Sequence, residues 1–284
     1  MTALVSVFAR AYHTKHAKTK VFNDSLAFDI LGYDYELIAQ NIVQSISFFD
    51  SKFKGSEEEA LNYIVHTTLA PATLARSYFT EVRLKNEIML GCKQYLILAS
   101  GYDSFAFRLS NKDMKLKIFE IDKKEMIQDK LKRLKHLPVP ENVKLIEADL
   151  CLDDWSSLLK KQNFKTNTKT FCSILGLTYY LNKQDFFHII DNLSENMTEG
   201  SALVFDYPVE GEQTKTQELL NDQNGKTTYT YQEIVAHLAK NDFLIYEHLT
   251  SEDINQSIFR DFNVTNSYNL MIYNTNFCYA IKKK

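Results

Sequence analysis

The chain has 284 residues with a formal net charge of -3, and 45% of them are hydrophobic and 24% charged. That balance belongs to an ordinary globular protein and excludes a disordered tail or a collagen-like fibre. With 36 acids against 33 bases there is no global field for nucleic acid or an anionic membrane, and no apolar run approaches the roughly 18 residues that a bilayer span requires.

The first ninety or so residues read as several helices. MTALVSVFARAYHTKH at the amino terminus has neither a signal-peptide apolar region nor a small-residue cleavage site. SEEEALNYIVHTTLAPATLARSYFTEVRLKNEIML reads as helical and broken near Pro71. Gly and Pro, at 8 and 4 in the whole chain, are scarce, which favours long helices over turn-rich all-β architecture.

From about residue 93 the pattern changes to short β-rich runs alternating with helical stretches: KQYLILAS, KLKIFEID, NVKLIEAD, TFCSILG, SALVFDYP, FLIYEHL and NFCYAIK. Their apolar residues are nearly continuous, as in strands covered on both faces by crossover helices. The fold class expected is therefore α/β, a doubly wound, mostly parallel sheet. A helical cap over residues 1–90 precedes a core over 91–284, and helices placed before the first strand can fold back over the carboxyl ends of the strands as a lid.

Between the strands, KKEMIQDKLKRLKHL is amphipathic, and its lysines are expected to line a solvated face. Asn182 reads as an N-cap before Phe186, Ile189, Ile190, Leu193 and Met197, an apolar stripe ended by Glu199-Gly200. Thr230 with Glu233 reads as a capping box before Ile234, Val235 and Leu238. The cysteines, at 92, 151, 172 and 278, are too widely spaced for a zinc-ligand pair, so no metal site is expected. Cys172 and Cys278 lie in apolar runs and read as small buried hydrophobes. Together with the amino terminus this points to a reducing compartment, the cytoplasm.

Three strand tips carry acids. The first strand runs into Ala99-Ser100-Gly101-Tyr102-Asp103-Ser104, the second ends at Asp122, and the third runs into Glu147-Ala148-Asp149-Leu150. An acid at the end of the second strand, 21 residues after Gly101, is placed to accept the hydroxyls of a ribose. A dinucleotide's pyrophosphate needs several glycines for close backbone approach, and this loop offers one, which disfavours NAD and FAD. The P-loop pattern G-K-[ST] is absent, which disfavours nucleoside triphosphates. S-adenosylmethionine carries a ribose and an adenine but no phosphate.

The chain resembles the class I S-adenosylmethionine-dependent methyltransferases of the leucine carboxyl methyltransferase type, a group with many bacterial O-methyltransferases. The resemblance rests on RAYHTKHAKTKVFNDSLAFDIL, LARSYF, QYLILASGYDSFAFRL, IFEID, EADLCLDDW and LGLTYYL, in the family's order and spacing. It implies a strand order 3-2-1-4-5-7-6 with the last strand antiparallel, and helices from the amino terminus capping the site. It also implies roles for single residues: Arg76 for the methionine carboxylate, Gly101 under the methionine portion, Asp122 for the ribose hydroxyls, and Asp149 with Leu150 at the adenine. The competing reading of Arg76 is an ion pair with Glu81. Asp153 and Asp154 compete with Asp149, and Asp103 and Arg108 are expected to pair locally. The chain departs from the family where many members open E-G-V-x-x-Y-L with a glutamate: here Leu175 stands in that position. Ala99 replaces the cofactor loop's usual first glycine.

No base is required for an ionised carboxylate acceptor, whereas a phenol or alcohol benefits from one. The acceptor-side candidates are Tyr179, Tyr180 and Tyr207 at strand tips, each read first as a pocket wall, and His66, whose alternative is a partly exposed histidine without a partner. His188 is expected on a solvent face, and His237 and His248 show no ligand spacing. The function expected is methyl transfer from S-adenosylmethionine to an oxygen of a small molecule, with neither nucleic acid nor membrane as a partner. The alternatives are a protein carboxyl methyltransferase and a cofactor-binding protein without turnover.

Overall fold

A computed structural model describes residues 2–108, 116–211 and 227–283. Lys115, expected to open the second strand, and Leu109, which closes the cofactor-loop segment, lie outside the described residues. The helices in chain order are α1 (Thr2–His16), α2 (Ala27–Leu31), α3 (Asp34–Gln44), α4 (Ile46–Phe49), α5 (Glu57–Ile64), a π-helical turn (Val65–Leu69), α6 (Ala70–Met89), α7 (Phe105–Arg108), α8 (Lys124–Arg133), α9 (Trp155–Lys161), a short 3-10 turn (Thr178–Tyr180), α10 (Lys183–Asn196), α11 (Tyr231–Lys240), α12 (Ser251–Ser257) and α13 (Arg260–Thr265). The strands are β1 (Gln94–Leu98), β2 (Lys117–Asp122), β3 (Val143–Glu147), β4 (Thr170–Ile174), β5 (Ala202–Pro208), β6 (Phe243–Leu249) and β7 (Thr275–Lys282).

The described residues fall into two compact units. One is helical and holds residues 2–78, Gly211 and 251–273; the other is built on the sheet and holds 79–108, 116–210, 227–250 and 274–283. Helix α6 begins in the first and ends in the second. The helical unit thus takes in α12 and α13, far along the chain from the segment 1–90.

All seven expected strands form one sheet in the order β3-β2-β1-β4-β5-β7-β6. Pairing is parallel from β3 through β5, and β7 runs antiparallel to both β5 and β6. The chain moves outward from β1 to β2 to β3, then returns to the other side of β1 for β4 and β5. This reversal places the switch point of the sheet at the tips of β1 and β4, where open α/β sheets take ligands. The continuous apolar runs have the cause expected of them: every residue of β1, β4 and β5 is buried. At the edge of the sheet β6 instead leaves Leu244 and Tyr246 exposed.

The core of this unit joins Leu96, Leu98, Phe119 and Ile121 of the central strands to Trp155 and Leu159 of α9, Phe186, Ile189, Ile190 and Leu193 of α10, and Ile234 and Leu238 of α11. Each fully buried side chain of this size contributes about 1.5–3 kcal/mol from removal of apolar area. Two helix starts follow the side chains that announce them. Asn182 Oδ1 accepts the Asp185 N–H at 2.9 Å, and Thr230 and Glu233 exchange both bonds of a capping box. The α10 stripe is shorter than expected, because the helix ends at Asn196 and Met197 is already extended, although still buried.

Two expectations are corrected. Pro71 does not break its helix. α5, the π turn and α6 run without a gap over residues 57–89, and the irregularity is the π turn that directly precedes the proline's helix, α6. The lysines of α8 do not all face solvent either. Lys130 is fully buried, and its Nζ donates to Glu120 Oε2 of β2 at 2.5 Å, with both side chains 0% exposed. An amphipathic pattern records polarity and not partners, and here a buried carboxylate ten residues earlier turns a lysine inward.

Candidate active site

The site is built where β1 and β2 end. Leaving β1, the chain turns through Ala99 at φ +54° and Gly101 at φ +48°, both left-handed. For Gly101 this is an ordinary conformation, and the space where a Cβ would stand is open. For Ala99 it carries strain of order 1 kcal/mol, which the glycine usual at this position would not. The turn directs the Gly101 N–H at Asp122 Oδ2, 2.6 Å away, while Asp122 Oδ1 accepts the N–H of Lys123 at 2.7 Å. The Asp122 carboxylate is thus held by backbone at both oxygens, and each oxygen retains a second lone pair for a further donor. Burial raises its carboxyl above the ordinary aspartate value, against the pull of the two N–H groups and of Lys130 and Lys123.

The third tip joins the second through Lys123. Its Nζ pairs with Asp149 Oδ2 at 2.9 Å, and Asp149 Oδ1 accepts the Cys151 N–H at 2.9 Å. The hydrogen bond from Lys123, followed by that from Cys151, holds the Asp149 carboxyl below the usual range. Asp153 reinforces this loop by accepting the Asp149 N–H at 2.7 Å, whereas Asp154 caps α9 through the Ser157 N–H at 3.1 Å. Leu150 is buried in the core and also lines a polar cleft of about 300 Å³ between residues 151–156 and His188 and Asn192 of α10; neither Gly101 nor Asp122 lines that cleft. His188 is exposed, as expected.

The loop between Gly101 and α7 is pinned on several sides. Asp103 Oδ1 accepts the Phe105 N–H at 2.7 Å. The expected partnership of Asp103 with Arg108 is replaced by one between Arg108 and Glu81 of α6, with the Arg108 Nε also donating to Ser104 Oγ at 2.8 Å. Tyr102 donates to Asp129 Oδ2 at 2.5 Å, and Arg133 one turn on grips the same oxygen at 2.5 Å. The partnerships of Arg108 with Glu81, Tyr102 with Asp129, Lys123 with Asp149 and Lys130 with Glu120 escaped the sequence reading because each joins separate elements. The one available signal was the cluster of charges at Glu120, Asp122 and Lys123.

On the far side of the switch point, Leu175 follows β4 and Gly176 turns at φ +66°. The Gly176 N–H donates to Asp206 Oδ1 of β5 at 2.7 Å, and Thr178 Oγ1 donates to the Asp206 carbonyl at 2.7 Å. Asp206 is therefore a buried carboxylate beside the position where the family pattern has its glutamate. Tyr180 is half exposed, and Tyr179 donates to Thr275 Oγ1 at 3.1 Å. Tyr207 is a core residue: its phenol is 2.7 Å from His248 Nε2, and burial pushes its ionisation well above the ordinary value. His237 lies on the Phe187 ring and 2.8 Å from Asp191. In the helical unit, Arg76 is half-buried and its Nε donates to the Ala72 carbonyl at 3.2 Å. His66, read as either a base or a partly exposed histidine without a partner, is 3% exposed and bonded to Asn62, so the second alternative does not hold. Among the described residues no group of three or more His, Cys, Asp or Glu is arranged to hold a metal ion.

The profile of the leucine carboxyl methyltransferase family matches residues 3–194. The chain belongs to the leucine carboxyl methyltransferase family. YktD of Bacillus subtilis (strain 168), assigned by name to the S-adenosyl-L-methionine-dependent methyltransferases, is 33% identical over 302 residues, covering 100% of this chain and 98% of YktD. A protein of Mycobacterium marinum with the same assignment is 33% identical over 41% of this chain and 39% of its own length. Among solved structures, one from Thermobifida fusca YX, named as a methyltransferase, superposes with a TM-score of 0.55 at 14% identity, covering 87% of this chain and 95% of that one. It supports the fold: a seven-stranded, mostly parallel sheet with flanking helices, as in class I methyltransferases.

Proposed function

We propose that the protein transfers the methyl group of S-adenosylmethionine to an oxygen, and specifically to a carboxylate, of a small-molecule acceptor. The reaction class follows from kinship: the protein is an S-adenosylmethionine-dependent methyltransferase. The observation that carries the cofactor reading is the Asp122–Gly101 pair at the switch point, a backbone-held carboxylate with acceptor capacity left over, next to a glycine with open space beside it.

The residues present fit the cofactor. Asp122 would accept the ribose hydroxyls, and Gly101 would allow the chain beside it to lie against the backbone. Asp149, fixed by Lys123, and Leu150 would meet the adenine. Bound S-adenosylmethionine supplies a methyl group already activated by its sulfonium. What remains for the protein is to place the acceptor oxygen in line and keep water out.

The choice of a carboxylate rests on the base candidates. Tyr207 and His66 are both buried and hydrogen-bonded, and burial makes the tyrosine harder to ionise and the histidine harder to protonate. An acceptor that arrives ionised needs neither. Tyr180 is then a pocket wall. A cytoplasmic location is part of the proposal, supported by four cysteines that are all free, with Cys92, Cys172 and Cys278 buried. No helix among the described residues is long and apolar enough to cross a membrane.

The test is transfer of labelled methyl from S-adenosylmethionine into a cell extract, followed by mild alkali. Label in small molecules that is released by alkali as methanol is the expected result, because methyl esters hydrolyse whereas ethers and methylamines do not. Alkali-stable label refutes the carboxylate, and label confined to nitrogen refutes oxygen altogether. Alkali-labile label confined to protein identifies a protein carboxyl group as acceptor, and binding without transfer identifies a protein that has lost turnover.

A further inference from the structure

Two histidines in the helical unit are buried beyond what packing requires of a polar ring. His13 of α1 is 0% exposed and His66 of the π turn is 3% exposed. Their rings stand edge to face with centroids 5.6 Å apart, and Phe262 of α13 packs on both, at 5.3 and 5.2 Å. His66 lies in the π turn, Val65–Leu69, where it and Val65 are both buried.

The hydrogen bonds each ring makes determine where its proton is. The backbone N–H of Val21 donates to His13 Nε2 at 3.0 Å, so that nitrogen is an acceptor and the proton of neutral His13 sits on Nδ1. His66 Nδ1 lies 2.6 Å from Asn62 Oδ1, which only accepts, so Nδ1 carries the proton and Nε2 is an acceptor. The two nitrogens left over, His13 Nδ1 and His66 Nε2, are buried and have no hydrogen-bond partner among the described residues. One is a donor and the other an acceptor, on adjacent rings.

We propose that His13 and His66 form a proton-operated latch: neutral, the pair holds α1 against the π turn, and uptake of protons by the two rings opens this part of the helical unit. A proton on His66 Nε2 leaves two buried donors on neighbouring rings with no acceptor between them. A proton on His13 Nε2 puts donor against donor at the Val21 N–H. Among the described residues no carboxylate pairs with either ring to receive the charge. The charged and titratable groups around the pair are Lys20, in the segment after α1, and His16 of α1, both of which oppose a second positive charge. Glu58 of α5 acts on His16 and on Tyr12, with Lys15 beside His16. Tyr12 packs edge-on against His66, and Phe262 contributes only an apolar ring. Desolvation lowers His13 to about 3 and His66 to about 4.

The sign follows from linkage. Both rings bind protons less readily folded than unfolded, so the opened form takes up protons first, and stability of this region falls as pH drops below about 6.5. Two rings opening together change the opening equilibrium by about 100-fold per pH unit, and one ring alone by about 10-fold.

The experiment uses the full-length protein. Long-range proton–nitrogen correlation spectra of histidine-labelled protein at pH 7 are expected to show both rings as the Nδ1–H tautomer, and both still neutral near pH 6. Hydrogen exchange, corrected for intrinsic pH dependence, is expected to show peptides of α1 and the π turn opening about 100-fold more per pH unit between about pH 6 and pH 5, while β1 and β4 do not follow. His66→Gln should reduce that slope to about 10-fold. An Nε2–H tautomer in either ring, protonation of either ring near 6.5 with the helices still protected, or an unchanged slope in His66→Gln overturns the proposal. The spectra and the slope of the unaltered protein decide the matter even if the variant does not fold.

Discussion

The two units share one way of burying titratable side chains, and the helical unit adds a second. In the sheet unit, charge goes inside with a partner: Glu120 with Lys130, Asp122 with two backbone N–H groups, Glu87 with Tyr279 and Lys169, Asp206 with Gly176. In the helical unit, Arg10 and Asp24 pair in the same manner at 2.8 Å, but His13 and His66 are buried as neutral rings with one nitrogen each unsatisfied. A paired charge is pinned as long as both partners stay, and removing one is expensive. A neutral imidazole is pinned only as long as the pH keeps it neutral. The sheet unit is therefore built to keep strand tips in place, and the helical unit contains a contact that solvent acidity can dissolve.

The sharpest way to break the comparison is to remove half of a pair. Lys130→Met takes from Glu120 its cation in the core, and urea denaturation should show a loss of about 3–5 kcal/mol. Replacing both, as Glu120→Leu with Lys130→Met, should restore most of it; a double variant no better than the single would mean that the pair does more than neutralise itself. Next in size is Asp122→Ala. Calorimetric binding of S-adenosylhomocysteine should weaken by about 1–3 kcal/mol, because ribose hydroxyls lose their acceptor. Smaller still is Thr230→Ala, which removes half of the α11 capping box and should cost about 1 kcal/mol in thermal or urea unfolding. The smallest effect has the opposite sign. Ala99→Gly relieves a left-handed alanine and should stabilise the protein by up to about 0.5 kcal/mol, net of the added freedom of the unfolded chain. A loss of stability in that variant would show that the alanine methyl packs more than its backbone strains.

The strands were legible because a strand covered on both faces announces itself as a short, continuous apolar run, and all seven runs became strands of one sheet. The caps at Asn182 and Thr230 were legible because the cap and the group it binds lie three residues apart. What the sequence concealed was pairing across distance. Arg83 of α6 holds Glu247 of β6 through two bonds, at 2.5 and 3.0 Å, while lying over the Phe79 ring. Those partners are separated by 164 positions, and nothing local to either marks the other. Lys130 was misjudged for the same reason, since α8 is amphipathic whether or not one lysine meets a buried acid. The π turn before Pro71 was invisible because its sequence, VHTTL, has no feature that separates it from an α-helix. Of the candidate site, Gly101 and Asp122 were readable from strand position and spacing. The part played by Lys123 in fixing Asp149, and by Asp206 in holding the turn after Leu175, depends on neighbours that only the fold supplies.

The most direct measurement is isothermal titration of the full-length protein with S-adenosylhomocysteine, run in parallel on Asp122→Ala. Saturable binding at one site per chain, weakened about 5- to 150-fold in the variant, is the predicted result. Absence of binding at roughly millimolar ligand, or equal affinity in the two proteins, would contradict the assignment of the β1–β2 tip as the place where the cofactor's ribose is held.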